Sequence, residues 1–448
     1  MHGIPSIVLS PHRRHHPRRH LSVPRRHLQR RIPSPVIQHI RLRMTTMAKF
    51  TDIPCELIIL VMKQLNSFDD LRAFLLTCRY VYSSYSEVST SAIAHAIVRK
   101  QIGPDLLHYS IALHEAAQTL SPHPPMTALE LIESLNEKKD ELLQRIHAYL
   151  PAALARLSHT HSLIEKNALK FASLAQRYIA RPVYQLWDRY TSGFSSVALS
   201  PTERFRLYRA FYRFEFFVTV FHVVVGDDDP DLADIFFSNH GPHEDEQLAC
   251  VYEYLHVEWS RVLVKLAQSK ADLQAMGIEV SDNRVRLHSE LGKIHWISHG
   301  LHFLKRVDNS NTSRSDAHAL MKSAIIRQRR LWSVSLHFMK EYGYYNEHQL
   351  KKSTELDTED GDKGPTTVWK SFSKRRARDY EYWNSENEAN RLSAYVFWDL
   401  AHMEKYKMVD YFKAQFRRPV LMSSIEDDWA SAMEQQFRES RCPRSFRL

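Results

Sequence analysis

Glycine is scarce in this chain, with 11 among 448 residues. The glycines stand at 3, 103, 193, 226, 241, 277, 292, 300, 343, 361 and 364, and no subset spells G-x-G-x-x-G, G-x-x-x-x-G-K-[ST] or G-x-S-x-G. The common phosphate cradles and the nucleophile elbow are therefore missing, as is H-E-x-x-H. Cysteine is rarer still. Cys55, Cys78, Cys250 and Cys442 make no C-x-x-C and fit no zinc spacing. So few thiols in a chain this long point to a reducing compartment, the cytoplasm or the nucleus. Long apolar runs are absent as well. The longest, Phe216 to Val225, is interrupted by Thr219 and His222 and falls short of the ~20 residues of a spanning helix. No apolar h-region of a secretory signal opens the chain. No cofactor and no membrane partner are implied.

Acidic residues are missing from one stretch. Residues 1–43 hold ten arginines (13, 14, 18, 19, 25, 26, 30, 31, 41 and 43), with no lysine and no acid. The chain carries 61 basic and 51 acidic residues, a formal charge of +10. Without those ten arginines the remainder is formally neutral, so the charge gives no reason to expect nucleic acid as a partner. Residues 1–47 are rich in His, Arg and Pro and predict a disordered tail. Their six prolines break any amphipathic presequence helix. Met44 and Met47 precede the first periodic segment, so Met1, Met44 and Met47 all stand as starts.

Leu, Ala, Glu, Lys and Arg are plentiful beside the few glycines, which predicts an all-α protein. Helical periodicity begins after Phe50. Pro54 suits a first helical turn, and Leu57, Ile58, Val61, Met62 and Leu65 follow at helical spacing. Ser67 three residues before Asp70 predicts an N-cap. A second helix then carries Leu71, Phe74, Leu75 and Cys78, and a third runs from about 91 to 99. Further helices are expected over 105–118, 127–148, 161–191, 201–225, 244–275, 283–305, 313–342, 368–385 and 391–416. Loops are expected at 227–231 and, acidic and mobile, at 353–367. Residues 417–448 are left as a C-terminal tail.

Residues 50–90 read FTDIPCELIILVMKQLNSFDDLRAFLLTCRYVYSSYSEVST. This stretch resembles an F-box, a three-helix motif opening with Leu-Pro-x-Glu-Leu, continuing through Asp-Leu and closing near Cys-Arg and an aromatic. The matching residues are Ile53-Pro54-Cys55-Glu56-Leu57, then Asp70-Leu71, then Thr77-Cys78-Arg79-Tyr80. Ile53 in place of leucine is a conservative departure. The resemblance implies that the segment docks on the Skp-type adaptor of a cullin–RING ubiquitin ligase. It places Ile53, Pro54, Leu57, Ile58, Val61, Leu65 and Leu71 at or near that interface. Physical size agrees, because about forty residues in three short helices need something to dock on. Three later stretches, 101–116, 199–217 and 391–404, are similar to helical regions of filamentous-fungal F-box proteins. That likeness speaks to architecture and leaves the target open.

Other constellations point to structure. Arg204, Arg206, Arg209 and Arg213 alternate with aromatics, which invites a nucleic-acid reading. But Leu207, Phe211, Phe214, Val218, Phe221 and Val225 form one apolar stripe, with Arg206, Arg209 and Arg213 on the opposite face. Ser200-Pro201-Thr202-Glu203 predicts a capping box. His295, His299 and His302 would share a helix face and could ligate zinc, though no carboxylate motif accompanies them. Asp227, Asp228, Asp229 and Asp231 lack the EF-hand positions. Lys374, Arg375, Arg376 and Arg378 make a nuclear-import-like cluster or a solvated helix face.

The sequence therefore predicts a basic tail (1–47), an F-box (50–92) and a helical region (93–416). The expected function is a non-catalytic substrate receptor in a Skp–cullin–F-box ligase, with a scaffold that recruits no ubiquitination as the alternative.

Overall fold

The computed structural model describes residues 52–86, 90–118, 127–180, 198–223, 232, 235–237, 239–267, 272, 290–309, 313–327, 361–376 and 390–409. Of these, 84% are helical and none lie in a strand. The tail, the 227–231 turn, most of the 353–367 loop and residues 417–448 lie outside that set. The chain divides into two units, Met1–Pro54 and Cys55–Leu448. In the first, Ile53 is half-buried and Pro54 exposed.

Three short helices come first: α1 (Cys55–Lys63), α2 (Phe68–Leu75) and α3 (Arg79–Ser86). Ser67 caps α2 by accepting the N–H of Asp70 at 3.0 Å, as its spacing predicts. The second helix stops at Leu75, short of Cys78. There the Thr77 hydroxyl donates to the Phe74 carbonyl at 2.7 Å, competing with helix continuation. α4 (Thr90–Ile102) follows, and the boundary expected at 92–93 falls inside it. Gly103, at φ +77°, ends α4, and Pro104 opens α5 (Pro104–Gln118). α1 packs against α3 and α4.

The helix expected over 127–148 is divided. Thr127 and Glu130 build a capping box for α6 (Ala128–Glu137). Lys138 then leaves helical geometry at φ −120°, ψ 43°, and α7 (Lys139–Arg145) runs into a 3₁₀ turn, Ile146–Ala148. α8 (Pro151–Ala180) begins earlier than the predicted 161, because Pro151 is pre-set for the first helical position.

α9 (Pro201–Val223) is the central helix. It packs against α5, α8 and α10 (Pro242–Leu266). Phe171 of α8, Phe211 of α9 and Tyr254 of α10 meet one another, and Phe171 also meets Phe397, with ring centroids 5.0 to 6.4 Å apart. Edge-on and tilted pairs of this kind suit the aromatic quadrupole.

The expected 283–305 helix is two helices, α11 (Glu290–Ile297) and α12 (Gly300–Asp308). Gly300 sits at φ +72°, a left-handed conformation that an unbroken helix cannot contain. α13 (Arg314–Arg327), α14 (Gly364–Arg376) and α15 (Leu400–Lys405) complete the described helices. α14 starts at Gly364, inside the expected acidic loop. The Asp362 carboxylate accepts its first N–H at 2.7 Å. Residues 393–398 are turns where a helix was predicted. Ala394 takes φ 53°, and the Trp398 indole donates back to the Ser393 carbonyl at 3.0 Å.

Candidate adaptor-binding surface

α1 has two apolar faces. Ile58 and Met62, four residues apart, are 1% and 0% exposed and point at α3 and α4. Leu57, Leu60 and Val61 follow the i, i+3, i+4 rule on the other side. They are 51%, 54% and 48% exposed. Three large apolar side chains on adjacent turns form a contiguous patch, unlike the single exposed leucines normal on any surface. Helix ends hold this face in place. Glu56 in the first turn and Lys63 in the last complement the helix dipole. The Lys100 ammonium of α4 donates to the Gln64 carbonyl just beyond α1.

The seven residues expected at the adaptor interface divide accordingly. Leu57 and Val61 are presented outward, and Leu65 is half-buried. Ile53 and Pro54 belong to the other unit. Ile58 and Leu71, at 1% and 3% exposure, are interior and lie beneath the surface. Leu60, three residues after Leu57, shares the exposed face without having been among the seven. Leu76 and Tyr82 are also exposed nearby in the chain.

This division predicts opposite stabilities for neighbouring alanine variants. Ile58→Ala should cost about 2–5 kcal/mol through lost burial and a cavity, while Leu57→Ala should stay within about 0.5 kcal/mol. Urea unfolding of both proteins measures the contrast. Equal losses would mean that α1 does not present the faces described.

A second concentration of functional side chains lies inside the fold. Arg206, Arg209 and Arg213 do not form a solvated face. All three are buried. Arg206 pairs with Asp399 at 2.8 Å and Asp362 at 3.4 Å, and donates to the Phe397 carbonyl at 3.0 Å. Arg209 and Arg213 share Glu244 at 2.7 and 3.1 Å. Burial alone would raise the Glu244 carboxyl, but the two guanidiniums outweigh it and hold it well below the usual range. Arg391 grips Glu246 with two nitrogens, at 2.8 and 3.3 Å, and reaches Glu253 at 3.6 Å. Arg204 alone of the α9 arginines discussed is exposed.

Ser200, Glu203 and His402 have the side chains of a hydrolytic triad but not its wiring. His402 Nδ1 pairs with Glu203 at 2.6 Å, whereas the Ser200 hydroxyl donates to Asp399 and accepts the Glu203 N–H at 3.0 Å. The hydroxyl serves as the helix cap that the Ser-Pro-Thr-Glu run predicts. Among the described residues no histidine is hydrogen-bonded to it.

The histidines considered for zinc are separated by the α11–α12 break. His295 lies in α11 and His299 in the turn, its ring 4.8 Å from that of Phe303. His302 of α12 meets Thr160 at 3.1 Å. Among the described residues no three His, Cys, Asp or Glu side chains are grouped to hold a metal ion. No described helix is long and apolar enough to cross a membrane. Lys374 to Arg376 close α14, and Arg378 falls outside the described residues.

The three later stretches likened to fungal F-box proteins come together here. α5 packs on α9, and α9 is bound to 391–404 through Arg206, Glu203 and Asp399. Compared with known proteins, the chain matches no family model, no curated protein and no solved structure.

Proposed function

We propose that this protein is a substrate-receptor subunit of a Skp–cullin–F-box ubiquitin ligase. The observation that carries the reading is the outward Leu57–Leu60–Val61 stripe on the first helix of the F-box-like segment. Covering such side chains is favourable, at about 1 kcal/mol for each half-exposed leucine or valine. An adaptor helix laid against α1 would gain that area, and a few anchors of this kind dominate an interface. Its place in the pattern Ile53-Pro54-Cys55-Glu56-Leu57 through Thr77-Cys78-Arg79-Tyr80 selects the Skp-type adaptor as occupant. The helical region after α4 would hold the target, and the protein's contribution to ubiquitin transfer would be proximity alone. The working compartment would be the cytoplasm or the nucleus, with Lys374, Arg375, Arg376 and Arg378 as the import cluster.

Co-expression with a Skp-type adaptor tests this. Wild type should retain the adaptor through purification. A Leu57→Asp, Val61→Asp protein should lose it by at least about tenfold, with an unchanged circular dichroism spectrum. Equal recovery from two folded proteins would end the proposal. Adaptor recovered without any cullin would assign the scaffold role.

A further inference from the structure

Glu215 is buried on α9. Its Oε1 accepts the backbone N–H of Leu301 at 2.7 Å. That amide belongs to the first turn of α12 and has no acceptor within its own helix. Gly300 presses on the same carboxyl group: a Cβ there would stand 2.7 Å from Oε2. The joint between α11 and α12 is thus closed onto one side chain.

No cation of the described residues pairs with that carboxyl group. In the joint itself His299 lies against Phe303, with ring centroids 4.8 Å apart, and these charged or titratable groups of the surrounding helices have other neighbours. From α5, His108 lies toward Arg213 and Arg209. From α8, His161 meets Tyr212 at 2.9 Å and Glu165 accepts from Tyr208 at 3.1 Å. From α10, Glu244 is taken by Arg209 and Arg213. From α12, Lys305 meets His159 at 2.7 Å and His302 meets Thr160. Lys293 of α11 has its own partner. Two influences remain on Glu215. Burial raises its carboxyl and the Leu301 N–H lowers it, leaving it at about 7.

We propose that Glu215 is a proton-dependent latch on the α11–α12 joint: protonated, it holds the start of α12 against α9, and once ionised it lets the joint open. A single N–H does not offset the cost of a buried, uncompensated carboxylate. In an opened, hydrated joint the group returns to its ordinary value near 4.5. The closed form therefore keeps a proton that the open form has lost over the window from about 4.5 to 7. The closed-to-open ratio falls as pH rises through that window, by up to about tenfold per pH unit, and levels off above it.

Hydrogen exchange of the full chain, followed by mass spectrometry and corrected for intrinsic amide rates, reads the joint directly. Protection across 300–308 should fall about ten- to a hundredfold between pH 5 and 7 in wild type. Glu215→Gln keeps the carbonyl acceptor and removes the titration, so its protection should not change with pH. The same slope in Glu215→Gln would overturn the proposal. If that variant fails to fold, a pH-independent 300–308 segment in wild type overturns it equally.

Discussion

Replacing Arg391 with methionine should lower the stability of the protein by about 3–5 kcal/mol. Arg391 is 3% exposed, and its two carboxylate partners, Glu246 and Glu253, are almost as deeply buried. Burial works against a guanidinium, but the two carboxylates outweigh it and keep Arg391 charged. Methionine fills similar space yet takes from both carboxylates the charge that Arg391 supplies. The cost is that of lost charge pairing, not of a cavity. Arg391→Lys should recover only part of it, because an ammonium cannot match the two-nitrogen grip on Glu246. Adding Glu246→Gln and Glu253→Gln to the methionine variant should restore much of the loss. Guanidinium unfolding curves with matched slopes provide the numbers. A loss under about 1 kcal/mol for the single variant would show that the pairs are not desolvated as described.

Gly300→Ala should cost about 2–4 kcal/mol, from left-handed backbone strain together with displacement of the Glu215 carboxyl group. Gly103 supplies the control. Its φ of +77° is nearly the same, but a Cβ there meets nothing within 4 Å. Gly103→Ala should cost only the conformational part, about 1–2 kcal/mol. The difference between the two variants isolates the contact with Glu215. If both lose the same stability, the close approach at Gly300 carries no energy.

These two sites mark where a one-dimensional reading works and where it stops. Ser67 and Ser200 announce their helix starts because a cap and its partner lie three residues apart. The α9 stripe of Leu207, Phe211, Phe214 and Val218 is equally plain. The opposite face misleads, because Arg206 looks solvated until Asp399 is brought to it from 193 residues away. Pairing over such separations leaves no periodic trace. The same holds for the joint at Gly300, where the carboxyl group that accepts the Leu301 N–H comes from another helix. In the adaptor-binding candidate, spacing places Leu57, Ile58 and Val61 on α1. It cannot say which of two apolar faces is covered, since that depends on how α3 and α4 lie against it.

α4 has a consequence of a different kind. It packs on both α1 and α8. Whatever seats itself on Leu57, Leu60 and Val61 is then carried at a set heading from the long helices behind, about 8–10 Å per layer of packed helix. Reach and angle become properties of side-chain size at the α1–α4 contact. Trimming Ile58 or Met62 would turn the bracket as well as weaken it, aiming a bound partner elsewhere while every contact residue stayed intact.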